Sequence, residues 1–447
     1  MQQSLIERWD GNAWTASAAA NATAAQNNTL IGMTCVSAAD CWAVGSFFNG
    51  SVQQTLIEHW DGTAWSIVDS PNTSAARSNI LYSITCAAAS DCWVIGYHAA
   101  DFAYQTLIQH WDGNTWSIVP SPSTDAAQNN FLNSVTCTSA SDCWAVGFYD
   151  SGAAYQTLIE RWNGSAWAIV PSPNTDATRE NRLFSVTCAS GSDCWAVGRF
   201  FNGTALQTLI QRWNGSAWTI ITSPNTSDSE ENNLQSVTCA TASDCWAVGS
   251  YGPGDGTGLT LIERWNGSAW QIVASPNPTA PFNYNFLRGV TCSSPSKCWA
   301  VGYYFADGAN RTLIERWDGS AWLLVDSPNT SATQNNYLIG VSCASGTDCW
   351  AAGYHYTDNG VLQTLTEHYT ALNLLSLSSI NRLENGRVLL EGSGPPNEPG
   401  TLETSPDLSP NSFAFLASVT TDESGAWQFE DPEAGEFSRR FYRLVPP

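Results

Sequence analysis

The sequence predicts an all-β protein, a seven-bladed β-propeller followed by a small C-terminal β-sandwich. Three observations lead to this prediction. A unit of about 51 residues recurs along the chain, each unit divides into four short β-like runs, and each unit holds two cysteines with five residues between them. Four antiparallel strands in a unit of this length, repeated seven times, are typical of the blades of a propeller.

The four runs are clearest in the unit at residues 79–124. The first run, 80–86, alternates its side chains and ends on a cysteine, and the second run, 92–98, begins on a cysteine. The third and fourth runs, 105–111 and 115–121, are separated by an Asp-Gly turn that is typical of a tight hairpin. No helical periodicity interrupts them, so each unit is expected to form one antiparallel sheet.

The fourteen cysteines form seven C-x5-C pairs, and none is left over. This is not a usual spacing for zinc ligands, and no histidine recurs at a fixed offset from it. We therefore expect seven local disulfides, each closing the hairpin between the first two strands of a blade, and an oxidising compartment. The expected pairs are Cys35–Cys41, Cys86–Cys92, Cys137–Cys143, Cys188–Cys194, Cys239–Cys245, Cys292–Cys298 and Cys343–Cys349.

The amino-acid composition excludes several classes of binding partner. The formal net charge is −23 and Lys297 is the only lysine, so the surface should repel phosphate backbones and anionic lipids. No apolar run is long enough for a membrane helix. We expect no nucleic-acid partner, no membrane insertion, no metal and no cofactor. No signal peptide precedes the first repeat, so the N-terminus is expected to be processed or cut.

The repeat resembles known propeller families. A Gly-ended second strand, an aromatic third strand and a Trp-led fourth strand are similar to Kelch-type propellers, and "DGSAW" (318–322) resembles the Asp-box of sialidase-like propellers. The full repeat also resembles those of secreted bacterial proteins. The resemblance covers residues 1–370 and implies an extracellular or cell-surface propeller.

A second resemblance covers the end of the chain, at residues 371–447. The segments "TLETSPDL", "GAWQFEDP" and "RRFYRL" are similar to a small fibronectin-III-like module. The resemblance implies a terminal β-sandwich that serves display or attachment. The expected domain boundary therefore lies between residues 370 and 371.

The strand motifs do not all occur the same number of times. The third-strand motif occurs eight times, from residues 4–9 to 364–369, whereas the first and second strands occur seven times. We expect the N-terminal strands to complete the last blade, which leaves two copies for one place. Either residues 364–369 lead into the next domain, or one copy pairs with another molecule. The candidate assembly residues are Leu5, Ile6, Trp9, Leu365 and Tyr369.

No residue set marks a catalytic centre, so we predict no catalytic residues. Glutamates recur at one position of the third strand, as at Glu58 and Glu160, whereas a glycosidase needs a unique pair of carboxyl groups. His59 and His110 occupy a position that other repeats fill with arginine. The three tryptophans of each unit are expected to pack between blades, with sugar stacking as the alternative.

The sequence therefore predicts a secreted, non-enzymatic structural or interaction protein that can assemble into extracellular filaments by strand exchange. Its expected partners are copies of itself, other extracellular proteins or glycans. A carbohydrate-binding, lectin-like propeller is the alternative prediction. A polysaccharide-cleaving enzyme is a third, because a pocket can form from residues of distant blades.

Overall fold

The structure is a computed structural model in which no α-helix occurs among the described residues. The described residues are 5–8, 20–22, 26–255, 257–278, 284–329, 333–345, 348–356, 362–370, 376–383, 387–393, 399–405, 414–420, 422, 426–434 and 440–445. They fall in two compact units, Met1–Thr370 and Ala371–Pro447.

The described part of the first unit forms seven four-stranded sheets, here called blades 1 to 7 in chain order. One N-terminal strand precedes blade 1. In order, the strands up to blade 3 are β1 (Leu5–Arg8); β2 (Asn28–Ser37), β3 (Asp40–Phe48), β4 (Gln53–Trp60) and β5 (Trp65–Ile67) of blade 1; β6 (Asn79–Ala88), β7 (Asp91–Ala99), β8 (Tyr104–Trp111) and β9 (Trp116–Val119) of blade 2; and β10 (Asn130–Ser139), β11 (Asp142–Asp150), β12 (Tyr155–Trp162) and β13 (Trp167–Ile169) of blade 3.

Blades 4 to 7 repeat the same order. Their strands are β14 (Asn181–Ser190), β15 (Asp193–Phe201), β16 (Leu206–Trp213) and β17 (Trp218–Ile221) of blade 4; β18 (Glu231–Thr241), β19 (Asp244–Gly252), β20 (Leu259–Trp265) and β21 (Trp270–Val273) of blade 5; β22 (Asn285–Ser294), β23 (Lys297–Ala306), β24 (Ala309–Trp317) and β25 (Trp322–Val325) of blade 6; and β26 (Asn336–Ser345), β27 (Asp348–Tyr356) and β28 (Leu362–Thr370) of blade 7.

Each hairpin between the first two strands of a blade is closed by a disulfide. In blade 3, Cys137 lies directly opposite Cys143, and their Cα atoms are 4.0 Å apart. The same bridge occurs in every blade, and no free cysteine remains. The predicted fold, a propeller with one disulfide per blade, is confirmed. Seven disulfides also indicate an oxidising environment.

Apolar side chains form each core between two successive blades rather than within one blade. Trp144 and Val146 of blade 3 pack with Leu183 and Ala196 of blade 4, and all four are fully buried. The second and third strands carry apolar residues on both faces because each sheet is covered on both sides. Blade 1 packs in the same way against Trp350 of blade 7, so the ring is closed.

Blade 7 is completed by the N-terminal strand. β28 pairs antiparallel with β27 as the third strand, and β1 pairs parallel with β28 as the fourth. Leu5 lies opposite Leu365, and Ile6 lies opposite Thr366. The extra copy of the third-strand motif, which is the N-terminal one, therefore occupies the outer position of blade 7 within the same chain. Of the candidate assembly residues, Trp9 lies outside the described residues, and Tyr369 pairs with Cys349.

A β-bulge in the innermost strand of every blade explains the glycine of the repeated Cys-Trp-Ala-Val-Gly segment. In blade 3 the pairing skips one residue between Leu132 and Ser134. The bent strand passes so close to Gly147 that a Cβ atom there would lie 1.9 Å from the carbonyl oxygen of Phe131. Only glycine accommodates this approach.

The second unit is a small β-sandwich. Its strands are β29 (Ser376–Arg382), β30 (Val388–Ser393), β31 (Pro399–Ser405), β32 (Ala414–Thr420), β33 (Ala426–Asp431) and β34 (Phe441–Val445). They form two three-stranded sheets, in the orders β29-β30-β33 and β32-β31-β34. Leu390, Leu402, Val419 and Trp427 form the core between them. Neither unit contains, among its described residues, a helix long and apolar enough to cross a membrane.

Candidate functional site

The repeated glutamates are structural contacts between blades. Glu160 is fully buried, and its carboxyl group accepts a hydrogen bond of 3.0 Å from the hydroxyl of Ser121 in the preceding blade. Burial raises the pKa of Glu160 to about 8, although the bond from Ser121 opposes the shift. Glu263 and Glu315 are buried in the same way, and burial raises the pKa of each to about 8. At neutral pH these carboxyl groups are mostly protonated.

Two blades carry glutamine instead of glutamate at this position. The side-chain oxygen of Gln109 accepts a hydrogen bond of 2.9 Å from Ser70, and that of Gln211 accepts one of 3.1 Å from Ser172. An amide therefore replaces the neutral carboxyl group without loss of the contact between blades. This equivalence assigns the position a packing role.

The repeated tryptophans are also enclosed between blades. Trp144 of blade 3 lies 4.8 Å from Trp213 and 5.4 Å from Trp218 of blade 4, measured between ring centroids. The guanidinium of Arg161 covers the Trp144 ring at 4.7 Å and pairs with Asp142 at 2.8 Å. These rings are therefore not free to stack on a sugar.

The histidines that replace arginine in the third strand contact the same aspartate position. The Nε2 atom of His59 lies 2.8 Å from the carboxylate of Asp40, and that of His110 lies 2.7 Å from Asp91. His59 stacks on the Trp42 ring at 4.1 Å. The arginine or histidine at this position covers the tryptophan of its own blade.

The centre of the propeller is different because it varies from blade to blade. The residues skipped by the β-bulges line a central cavity of about 440 Å³, together with the residues that follow them. We call the skipped residues the channel ring. Its members, from blade 1 to blade 7, are Ile31, Tyr82, Asn133, Phe184, Gln235, Arg288 and Ile339.

A second variable set lies where the innermost strands begin and the second strands end, and we call this end of the cavity the mouth. Its residues face one another across the first two strands of each blade. From blade 1 to blade 7 the pairs are Thr29–Ser46, Ile80–Tyr97, Phe131–Phe148, Arg182–Arg199, Asn233–Ser250, Phe286–Tyr303 and Tyr337–Tyr354.

Aromatic side chains form two runs at the mouth. The first spans blades 2 and 3, where the Phe131 ring lies 4.9 Å from Tyr97 and 5.0 Å from Phe148. The second spans blades 6 and 7, where Tyr303 lies 4.8 Å from Tyr337. The rings in both runs are largely buried but reach the surface, and such surfaces are suited to stacking on the apolar faces of sugars.

Tyr97 and Tyr354 of the mouth are neutral hydrogen-bonding groups. Burial, and then the neighbouring tyrosines Tyr337 and Tyr356, raise the pKa of Tyr354 to about 12. Burial likewise raises the pKa of Tyr97, and the adjacent Tyr82 adds to the shift. Their hydroxyl groups can therefore donate hydrogen bonds to a ligand across the neutral pH range.

A hydrogen bond between two strands of blade 6 lies at the wall of the cavity. An Nη atom of Arg288 donates a hydrogen bond of 2.9 Å to the hydroxyl of Tyr303, and both residues line the cavity. The Nε atom of Arg288 is buried and has no hydrogen-bond partner among the described residues. The Arg288 guanidinium therefore lines the cavity with part of its hydrogen-bonding capacity unused.

Sequence reasoning missed this site because it searched for repeated residues. The channel ring and the mouth are the positions at which the units disagree, as in "LYS" at 81–83, "LNS" at 132–134 and "LRG" at 287–289. That variation is visible in the sequence. What is not visible is that the channel ring lines one cavity together with Tyr303 and Tyr354 of the mouth, since this depends on ring closure and on the bulges.

Comparison with solved structures identifies the same fold. A PL25 ulvan lyase bound to -[GlcA(1-4)Rha3S]- matches with a TM-score of 0.51 and 10% identity, over 73% of this chain and 89% of the lyase. A GH74 xyloglucanase from Xanthomonas campestris matches with a TM-score of 0.47 and 11% identity, over 82% of this chain and 58% of the xyloglucanase. No protein-family model and no curated protein matches the sequence.

The prediction of a non-enzymatic protein that assembles into filaments is wrong. It relied on a spare strand, but the structure pairs β1 and β28 within blade 7 of the same chain. It also relied on the lack of a unique residue set, but the channel ring and the mouth form one. Moreover, the fold is that of a polysaccharide lyase, so the propeller architecture is no argument against catalysis.

Proposed function

We propose that this protein is an extracellular carbohydrate-active enzyme that cleaves an acidic polysaccharide by β-elimination at the mouth of its central cavity. The observation that carries the proposal is the Arg288–Tyr303 hydrogen bond, because both residues line the cavity. An arginine with free donors suits the planar, bidentate recognition of a carboxylate.

The reaction proposed here needs two functions from the protein. In a polyuronate, removal of the C5 proton next to the carboxylate forms a C4=C5 double bond and breaks the C4–O glycosidic bond, and the leaving oxygen takes up a proton. Arg288 binds the carboxylate and stabilises the negative charge that develops there. Tyr303 first loses its phenolic proton to solvent, then accepts the C5 proton as the tyrosinate and returns it to the leaving oxygen.

Two further features support an acidic polysaccharide as substrate. The aromatic runs at the mouth offer surfaces for sugar rings on both sides of the cavity. Arg288 lines the cavity and Arg182 and Arg199 lie at the mouth in blade 4, in a protein whose net charge is −23. The ulvan lyase that shares the fold binds a polymer printed as -[GlcA(1-4)Rha3S]-.

The remaining resemblances belong to the same proposal. A Kelch-type or Asp-box-like repeat, seven disulfides and a fibronectin-III-like module at 371–447 are together typical of secreted bacterial proteins. We propose that the module attaches the enzyme to a surface or a polymer while the propeller acts on glycans. No cofactor is needed for the reaction as proposed.

The test is to incubate the protein with polygalacturonate, alginate, chondroitin and neutral xyloglucan, and to follow the ultraviolet absorbance of the C4=C5 double bond. We expect absorbance to rise with at least one acidic polymer and not with xyloglucan. Tyr303→Phe and Arg288→Met should each lower kcat/KM by about 100-fold or more. Glu160→Gln, which changes only a contact between blades, is the matched control and should retain activity.

Three results would count against the proposal. They are no product from any acidic polymer, new reducing ends without absorbance, which indicates hydrolysis, and full activity in both cavity variants. Binding of an acidic polymer without cleavage would reduce the protein to a carbohydrate-binding propeller.

A further inference from the structure

Blade 4 presents two arginines side by side at the mouth, with one carboxylate between them. Arg182 and Arg199 are cross-strand partners on β14 and β15. Glu180 receives a hydrogen bond of 3.0 Å from the Nε atom of Arg199 and one of 3.2 Å from an Nη atom of Arg182. In no other blade do both positions of the mouth pair carry a positive charge.

The charge of this cluster is not balanced by its hydrogen-bonded partners. Two guanidinium groups share a single carboxylate, and about a fifth of each arginine side chain is exposed. Burial lowers the pKa of Arg182, and the charge of Arg199 lowers it further against the attraction of Glu180. Glu231 lines a side cavity with Arg199, but the described residues show no ion pair between them. A further anion would therefore stabilise the cluster.

Aromatic rings hold the two guanidinium groups in place. The guanidinium of Arg182 lies 4.2 Å from the ring of Tyr155 and 4.8 Å from that of Phe148. The guanidinium of Arg199 lies 5.5 Å from Phe184, which belongs to the channel ring. The cluster therefore lies beside a residue of the channel ring, and its donors are oriented before any ligand binds.

The mouth of blade 5 separates this cluster from the Arg288–Tyr303 contact of blade 6. Blade 5 contributes Asn233, Gln235 and Ser250 to the channel ring and the mouth, and all three are small or polar. The side-chain oxygen of Asn233 is buried without a hydrogen-bond partner among the described residues. A sugar that crosses blade 5 would therefore meet hydrogen-bonding groups and no bulky ring.

We infer that Arg182 and Arg199 form a second subsite, which binds another carboxylate or sulfate of a polysaccharide that runs from blade 6 across blade 5 to blade 4. This inference rests on the proposed function and specifies its substrate as a polymer with acidic groups on more than one residue. Glu180 occupies part of the subsite in the free protein and competes with the ligand.

The test measures binding separately from cleavage, with chondroitin as the probe for carboxylate and chondroitin sulfate as the probe for sulfate. Arg199→Met keeps the apolar stem on Phe184 and should weaken binding about tenfold, because a charged hydrogen bond is lost. Glu180→Gln removes the competing carboxylate and should tighten binding several-fold. A structural role for Glu180 predicts no such gain. Arg161→Met, which removes an arginine far from the mouth, is the matched control.

The outcomes separate this inference from the proposed function. If Arg199→Met raises KM while kcat is kept, and Arg288→Met lowers kcat, both are supported. If cleavage occurs but neither Arg199→Met nor Glu180→Gln changes affinity, the second subsite is wrong and the proposed function stands. If Arg199→Met does not fold, an unchanged affinity in Glu180→Gln is sufficient to reject the subsite. If wild type binds the probes but never cleaves them, the catalytic proposal fails alone.

Discussion

The interior between blades and the mouth of the central cavity follow opposite rules. Between blades, every unit repeats one set of contacts, such as the tryptophan contacts of Trp144 with Trp218 and of Trp195 with Trp270. At the mouth, Phe131, Arg182 and Asn233 occupy equivalent positions in three successive blades. The same packing contacts can serve between every pair of blades, whereas a ligand site needs different residues at different places around the ring. In this fold, departures from the repeat therefore indicate the functional surface.

Gly147→Ala should cause the largest loss of folding stability. The added Cβ atom would lie 1.9 Å from the backbone oxygen of Phe131, and backbone on both sides prevents relief. We expect a loss of about 3 kcal/mol or more in the free energy of unfolding, or no folded protein. Chemical denaturation measures it. Gly191→Ala is the control, because its new Cβ would meet only side-chain atoms, Oδ2 of Asp142 at 3.0 Å and Oγ1 of Thr138 at 3.7 Å. Equal stability of the two variants would contradict the close-packing argument.

The buried glutamates predict that stability falls as pH rises. Burial raises the pKa of Glu58, Glu160, Glu263 and Glu315 from 4.5 to about 8 in the folded state. Between these values the folded protein binds more protons than the unfolded protein, so the free energy of unfolding must decrease with pH. We expect the melting temperature to be highest near pH 4 to 5 and to fall until about pH 8.

Two blades already carry glutamine at this position, and the matching substitution in a third blade provides the control for this pH dependence. Glu160→Gln copies Gln109 and Gln211, which keep the same serine contact without a titrating group. The variant should therefore show a shallower fall of melting temperature between pH 5 and 8. A melting temperature that is constant or rises over this range in wild type would contradict the protonated state of these carboxyl groups.

Phe131→Ala should affect the mouth without affecting the fold greatly. Phe131 lies in the first aromatic run, between Tyr97 and Phe148. Loss of one stacking surface should weaken polysaccharide binding by about 1 kcal/mol, which corresponds to a factor of about five. Affinity electrophoresis in chondroitin gels measures the change. Ile80→Ala, at the equivalent position of blade 2, lacks a ring to lose and should bind as wild type does. Equal losses in both variants would argue against stacking.

Arg161→Met should have the smallest effect. The Arg161–Asp142 pair is partly exposed, with 37% of the arginine side chain accessible, and solvent screens such pairs. We expect a change in unfolding free energy within about 1 kcal/mol. The methionine keeps apolar contact with Trp144, so a loss well above this value would show that the charge itself holds the blades together.

The sequence alone determined the architecture, because the same local sequence pattern recurs in every unit. The cysteine spacing, the Asp-Gly and Asn-Gly turns and the four apolar runs specify one antiparallel blade, and seven copies specify a ring. The variable residues were equally present in the sequence. That they form one site could not be read from the sequence, since Tyr82 and Arg288 are about 200 positions apart and share only the cavity that both line.

Tertiary structure decided two matters that the repeat could not. It placed β1 beside β28, because ring closure leaves the outer edge of blade 7 open to a strand from the other end of the chain. It also brought seven side chains of six types together, because the bulge in each innermost strand turns one residue towards the same axis. Local sequence sets the shape of a blade, but only the closed ring sets what meets at its centre.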